Sequence, residues 1–253
     1  MSHVTNLTNK YRHMKILKTI LTVSLALFVS VQVNATSKKV KGNGNVIKGS
    51  QTTVEYDKIS VGGSFEVTLV SGKEGEITYS VESNLEEYLV IEVKKGELKI
   101  TWEKGVNVRT TKGVKVTVPF KDIEGISLAG SGEITSKNVV TADDLKLNVA
   151  GSGDMNVDID ANNVESNIAG SGSMTVYGSA KNLESNIAGS GDFEGYGLVV
   201  VNDVDVNIAG SGSVETTANG NIKSSISGSG NVRYKGNAKI NSRISGSGSV
   251  SKR

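Results

Sequence analysis

The chain has 253 residues, no cysteine, two histidines, 30 glycines against a single proline, and a formal net charge of +2. Disulfides are excluded as its framework, and so much glycine with so little proline points to many tight corners in a folded chain rather than to disorder. Both histidines, His3 and His13, fall in what reads as a removable leader, so zinc sites, Ser-His-Asp and Cys-His nucleophile systems and a histidine general base are all excluded from the mature chain.

In chain order, Lys10, Arg12, Lys15 and Lys18 precede an apolar run from Ile20 to Val31, which leads to Val33-Asn34-Ala35. A basic start, an apolar stretch shorter than the roughly 20 residues of a membrane span, and small residues at its end predict a signal peptide over residues 1–35. Met14 is an alternative start. Cleavage is expected after Ala35, giving an exported chain in the periplasm, on the outer surface or secreted, with no transmembrane span.

Residues 36–120 read as a strand-rich part. Phe65, Val67, Leu69, then Ile77, Tyr79, Val81, then Leu98, Ile100, Trp102, and Val114, Val116, Val118 each alternate with polar residues. Glycines separate these runs, as strands and turns require. This segment is expected to cap the remainder of the chain, because a solenoid end exposes unpaired strand edges, and irregular early rungs within it are left open.

From residue 121 to 253 one phrase recurs, Ala-Gly-Ser-Gly five times and then Ser-Gly-Ser-Gly twice, with its first glycine at Gly130, Gly151, Gly170, Gly189, Gly210, Gly228 and Gly246. A period near 20 residues predicts a solenoid whose units bury their apolar side against their neighbours. Two places before each anchor stand Leu128, Val149, Ile168, Ile187, Ile208, Ile226 and Ile244; four places after it stand Ile134, Met155, Met174, Phe193, Val214, Val232 and Val250. Six places before it stand Leu145, Val164, Leu183, Val204, Ile222 and Ile240, with Glu124 the exception. All these offsets are even, the period of a strand with one buried face. An all-β right-handed parallel β-helix is the expected fold, and a meander of antiparallel hairpins is its rival.

The leader, Gly42-Asn43-Gly44-Asn45, the run from Tyr56 to Val67, and Val116-Thr117-Val118-Pro119 running into Gly-Ser-Gly repeats together resemble the head GIN domain family. That family is described as adhesin heads and is common in exported proteins of Bacteroidetes-type bacteria. The resemblance covers about residues 42 to 250 and implies a right-handed β-helix with an adhesin-like role. It brings no established catalytic or ligand residues.

Candidate site residues come from the repeat itself. Tyr177 and Tyr196 lie seven residues after their anchors, each before a glycine, and are expected to stack on adjacent rungs, with Tyr234 one position out of register. Tyrosine faces suit sugar rings and protein contacts. Residues 121–217 hold 15 acids and 4 bases, whereas residues 218–253 hold 7 bases and no acid. Lys223, Arg233, Lys235, Lys239 and Arg243 are therefore expected to form a basic tip for an anionic partner, kept apart from the acidic middle. End protection against edge-to-edge growth is the other reading of that tip. The pairs Asp158/Asp160 and Asp203/Asp205 have the spacing of a Ca²⁺ site or a glycosidase pair but do not repeat in register, and they read as a solvated face. The serine and asparagine ladders read as scaffold.

No catalytic residue, metal site or cofactor is expected, and nothing resembles a nucleic-acid or phosphate motif. The function expected is a non-enzymatic, adhesin-like envelope protein presenting its surface to a glycan or protein. The alternatives are a polysaccharide-processing enzyme and a purely structural envelope component.

Overall fold

The structure is a computed structural model that describes residues 37–253; the leader expected over residues 1–35 and its cleavage point lie outside the described residues. From Lys58 onward two ladders of strands run side by side, joined in each rung by the glycine corner. One contains Lys58–Gly63, Gly125–Gly130 and the later segments that end at Gly151, Gly170, Gly189, Gly210, Gly228 and Gly246. The other contains Glu66–Ser71, Glu133–Ser136 and the segments that begin at Asp154, Ser173, Asp192, Ser213, Asn231 and Ser249. Every pairing within these ladders is parallel, so the hairpin meander is excluded and the fold is a parallel β-solenoid.

The even offsets point inward. Leu128, Val149, Ile168, Ile187, Ile208 and Ile226 are buried, as are Ile134, Met155, Met174, Phe193, Val214 and Val232 on the facing ladder. The last rung departs from this expectation: Ile240 and Ile244 are 38% and 42% exposed, because no rung of the described chain lies over them. Between the apolar columns runs a partly polar one, four places before the anchor, in which buried Ser166 and Ser185 share a hydrogen bond of 3.0 Å.

Gly170 shows why the corner is glycine. Its φ is +121°, and a Cβ there would fall 2.4 Å from the carbonyl oxygen of Gly151 in the rung beneath. Left-handed backbone and close stacking both forbid a side chain. That carbonyl accepts instead from the Ser171 backbone N–H at 2.8 Å, and the same bond recurs at Ser190, Ser211, Ser229 and Ser247. The serine ladder follows from this arrangement: its backbone locks the corner while its side chains are exposed.

The segment before residue 121 contributes two rungs of its own, in an order that inverts the chain. Lys58–Gly63 is flanked on one side by Gly125–Gly130 and on the other by Glu97–Trp102. Glu66–Ser71 is likewise flanked by Glu133–Ser136 and Lys115–Phe120. The chain lays one rung, adds the next outside it, then returns to build the repeats on the other face. Antiparallel strands close the outer edges: Leu89–Lys94 on Glu97–Trp102, and Glu76–Glu82 on Lys115–Phe120, with Val46–Thr52 beyond. Residues 39–253 form one compact unit, without a break at residue 120.

Buried Glu82 fastens the cap. Its carboxylate accepts from the Gly44 N–H at 2.6 Å, the Thr111 N–H at 2.7 Å and the Thr111 hydroxyl at 2.7 Å. Burial pushes its pKa up, but these bonds prevail and hold the carboxyl below its ordinary value.

Candidate functional site

Before each anchor, outward positions stack as strictly as inward ones, because there each rung repeats the last in register. Three places before the anchor, amides form a chain: Asn148 donates to Ser127, Asn167 to Asn148, Asn186 to Asn167 and Asn207 to Asn186, all at 3.0–3.1 Å. Seven places before it a second ladder, which the sequence pattern alone did not single out, joins Asn163 to Asp144, Asn182 to Asn163, and Asn221 to Asp203, each at 2.8 Å. Its signal was in the sequence as the same odd offset in successive units. Between the two lie Lys146 and Glu165, paired at 2.7 Å, with the Asn167 amide and Lys146 holding the Glu165 carboxyl below its ordinary range. A groove of about 730 Å³ follows this flank past Glu124, Asp144, Glu184 and Asp203.

Three of the four acids in the two pairs are taken up by neighbouring rungs. Asp160 accepts from the Ser179 hydroxyl at 2.6 Å, Asp203 accepts from Asn221, and Asp205 pairs with Lys223 at 2.7 Å. Among the described residues no three acidic side chains are grouped so as to hold a metal ion.

The basic tip is less separate than its sequence suggested. Lys223 is paired with Asp205, and Arg233 reaches Glu215 at 3.4 Å, so two of the five named bases bind the acidic middle across the seam between adjoining rungs. Residues one rung apart share a column, and opposite charges in one column meet. Lys239 and Arg243 lie exposed on the last long strand, Lys239–Gly246.

The tyrosines also depart from expectation. The ladder shifts register after Thr175, so Tyr177 pairs with Gly197 rather than with Tyr196. The residues from Tyr196 to Leu198 have no register partner in the next rung, where Gly195 pairs with Thr216 and Val199 with Thr217, and the Tyr196 carbonyl accepts instead from the Thr217 hydroxyl at 2.9 Å. This bulge, and not a stack of rings, is the local structure. Tyr177 is 48% exposed, and its ring lies against Gly197, where a Cβ would fall 2.3 Å from Cδ1. Tyr196 is half-buried; Lys235 Nζ stands 4.4 Å from its ring centroid and the Arg253 guanidinium carbon 5.4 Å. Tyr234 sits in an inward column, paired with buried Thr216 and packed against the core, and so leaves the outer group altogether. Sequence reasoning missed Arg253 and took Gly197 only as the glycine after Tyr196, although Lys235 and Arg253 stand seven places after their anchors, the same offset as Tyr196 and as Thr217 of the intervening rung.

Among the described residues no helix is long and apolar enough to cross a membrane. Solved structures resemble this one, among them three that are each covered over 100% of their own chain. A putative adhesin from Bacteroides fragilis NCTC 9343 has a TM-score of 0.77 at 22% identity over 85% of this chain. A putative lipid binding protein from Parabacteroides distasonis ATCC 8503 has 0.71 at 26% over 85%, and a putative adhesin from Parabacteroides merdae ATCC 43184 has 0.67 at 23% over 86%. No curated protein matches the chain. Residues 55–238 match the family described as putative auto-transporter adhesin, head GIN domain, and the chain belongs to that family.

Proposed function

We propose that the chain is exported after loss of residues 1–35 and serves at the cell envelope as a non-enzymatic binding protein, presenting the outer face of the solenoid to a glycan or protein. Membership of the head GIN family over residues 55–238 carries this reading. The outer face supports it: it is a rigid surface of regularly spaced amide, carboxylate and hydroxyl groups, and many weak contacts on one rigid body add without much ordering cost. The Parabacteroides distasonis neighbour is described as lipid binding. Here the groove on the ladder flank is lined by Lys146, Asn163, Glu165 and Asn182 with Leu145, Val164 and Leu183 between them, so it offers polar groups and apolar contact side by side.

The test is expression of the full chain with its leader, recovery from the envelope and medium, and adherence of the recovered protein to immobilised glycans and envelope proteins. The expected mature N-terminus is Thr36, by intact mass. Retention of the leader in the cytoplasm would contradict export. Turnover of a polysaccharide, abolished by Asp158→Asn or Asp203→Asn, would contradict the non-enzymatic reading.

A further inference from the structure

We infer that the shelf around the bulge is a binding site for an acidic glycan, with one sugar ring on Tyr177 and the carboxylate or sulfate of a following sugar at Lys235 and Arg253. This rests on the adhesin-like reading and names the ligand class that reading leaves open.

Three observations carry it. The first is the exposed ring. Inward columns bury their large side chains, yet Tyr177 projects outward and keeps nearly half its surface in solvent, laid against a residue with no side chain. An aromatic ring held in that way offers a fixed flat face, which suits the apolar face of a pyranose. Val199, two residues past Gly197 on the same outer side, is 42% exposed and extends the apolar shelf.

The second is the pair of cations. Lys235 and Arg253 both turn back toward the Tyr196 ring, and among the described residues neither has a carboxylate within 4.0 Å, whereas Lys223 and Arg233 do. Converging on one ring places them within a screening length of each other, about 10 Å at 0.1 M salt, so they repel. Contact with the half-buried Tyr196 ring offsets part of that and leaves both charges without a counter-ion. An anion between them removes the repulsion and gains two charge-assisted contacts.

The third is polarity along the axis. The Tyr177 column continues on one side to Asp158, while on the other side the shelf leads over the bulge to the cations. Rungs repeat at about 4.8 Å, close to the advance of an extended sugar chain, so successive sugars would meet a carboxylate suited to hydroxyls, the ring, and the cations in turn. This differs from the tip inferred from sequence: of the five bases named there, the shelf uses only Lys235.

The experiment measures binding of polygalacturonate, heparin and neutral dextran to the full chain by calorimetry. Both acidic polymers should bind and dextran should bind much more weakly; Tyr177→Ala should lower acidic binding about tenfold or more, with Tyr177→Phe within about threefold of the parent. Gly197→Ala should lower it comparably by displacing the ring without removing any polar group. Lys235→Gln/Arg253→Gln should lower it about tenfold and flatten its salt dependence between about 50 and 200 mM, while Lys104→Gln in a distant turn should change nothing. Unfolding midpoints close to the parent's keep each comparison one of binding.

Acidic binding unchanged in Tyr177→Ala and in the double variant would overturn the shelf. So would failure to bind either acidic polymer while the chain still adheres to a neutral glycan or an envelope protein, an outcome that leaves the broader reading in place. Failure to adhere to anything would overturn both.

Discussion

Two regions of the stack obey one inward rule with different corners. From Gly130 onward every corner is Gly-Ser-Gly, whereas in the two rungs nearest the cap Phe65 stands at the level of Gly132, and Trp102 takes the column of Gly63. Their rings lie 5.1 Å apart. A Cβ at Gly130 would fall 2.6 Å from the Gly63 carbonyl, while Trp102 belongs to the outermost rung of its ladder and has no further corner beneath it. Glycine is demanded where corner lies on corner, and at the end of the column aromatic rings fill the space instead.

Substitutions sharpen that contrast. The largest effect is expected from Ile187→Asp, which sets an unpaired charge between Ile168 and Ile208 and should cost about 4 kcal/mol or more in chemical denaturation. Gly170→Ala should cost about 2–4 kcal/mol, through positive φ and collision with the Gly151 carbonyl. If Gly170→Ala melted like the parent, the corners of the two regions would not differ in the way described.

Glu82→Gln tests the cap alone. Replacing a buried carboxylate that accepts three short bonds should cost about 2–3 kcal/mol near neutral pH. Because the folded carboxyl lies below its ordinary 4.5, its charge contributes fully above that pH, and the contribution is lost as pH falls through the folded value. The gap in melting temperature between parent and Glu82→Gln should therefore close on acidification. A constant gap would mean that the charge plays no part. The smallest effect belongs to Ser190→Ala, within about 0.5 kcal/mol, since its backbone N–H and not its exposed hydroxyl secures the corner.

The repeat region was legible because its inward residues recur at fixed even offsets from a glycine that cannot vary. The same offsets hold earlier in the chain. Ile59 and Val61 stand four and two places before Gly63, and Val67 four places after it, all buried. There the phrase is degraded to Gly-Gly-Ser-Phe, so the sequence left early rungs in the cap open without placing them. The inverted order left no trace in the sequence, since strand pairing between distant segments is set by packing rather than by local propensity. The site was read less well. A bulge adds residues without changing alternation on either side, so Tyr196 seemed to stack on Tyr177, and the seam pairs of Lys223 and Arg233 appear only once rungs are placed in register.

The inverted order is the central claim, and the absence of cysteine makes it directly testable. Thr68 is the register partner of both Thr117 and Thr135, from opposite sides. Neighbouring strands lie about 4.8 Å apart, within disulfide reach, whereas strands two rungs apart do not. Under mild oxidation Thr68→Cys/Thr135→Cys and Thr68→Cys/Thr117→Cys should each crosslink within the folded chain, and Thr117→Cys/Thr135→Cys should not. Rungs stacked in chain order would give the opposite for two of the three, with 117 joined to 135 and 68 failing to reach 135, and that result would contradict the account.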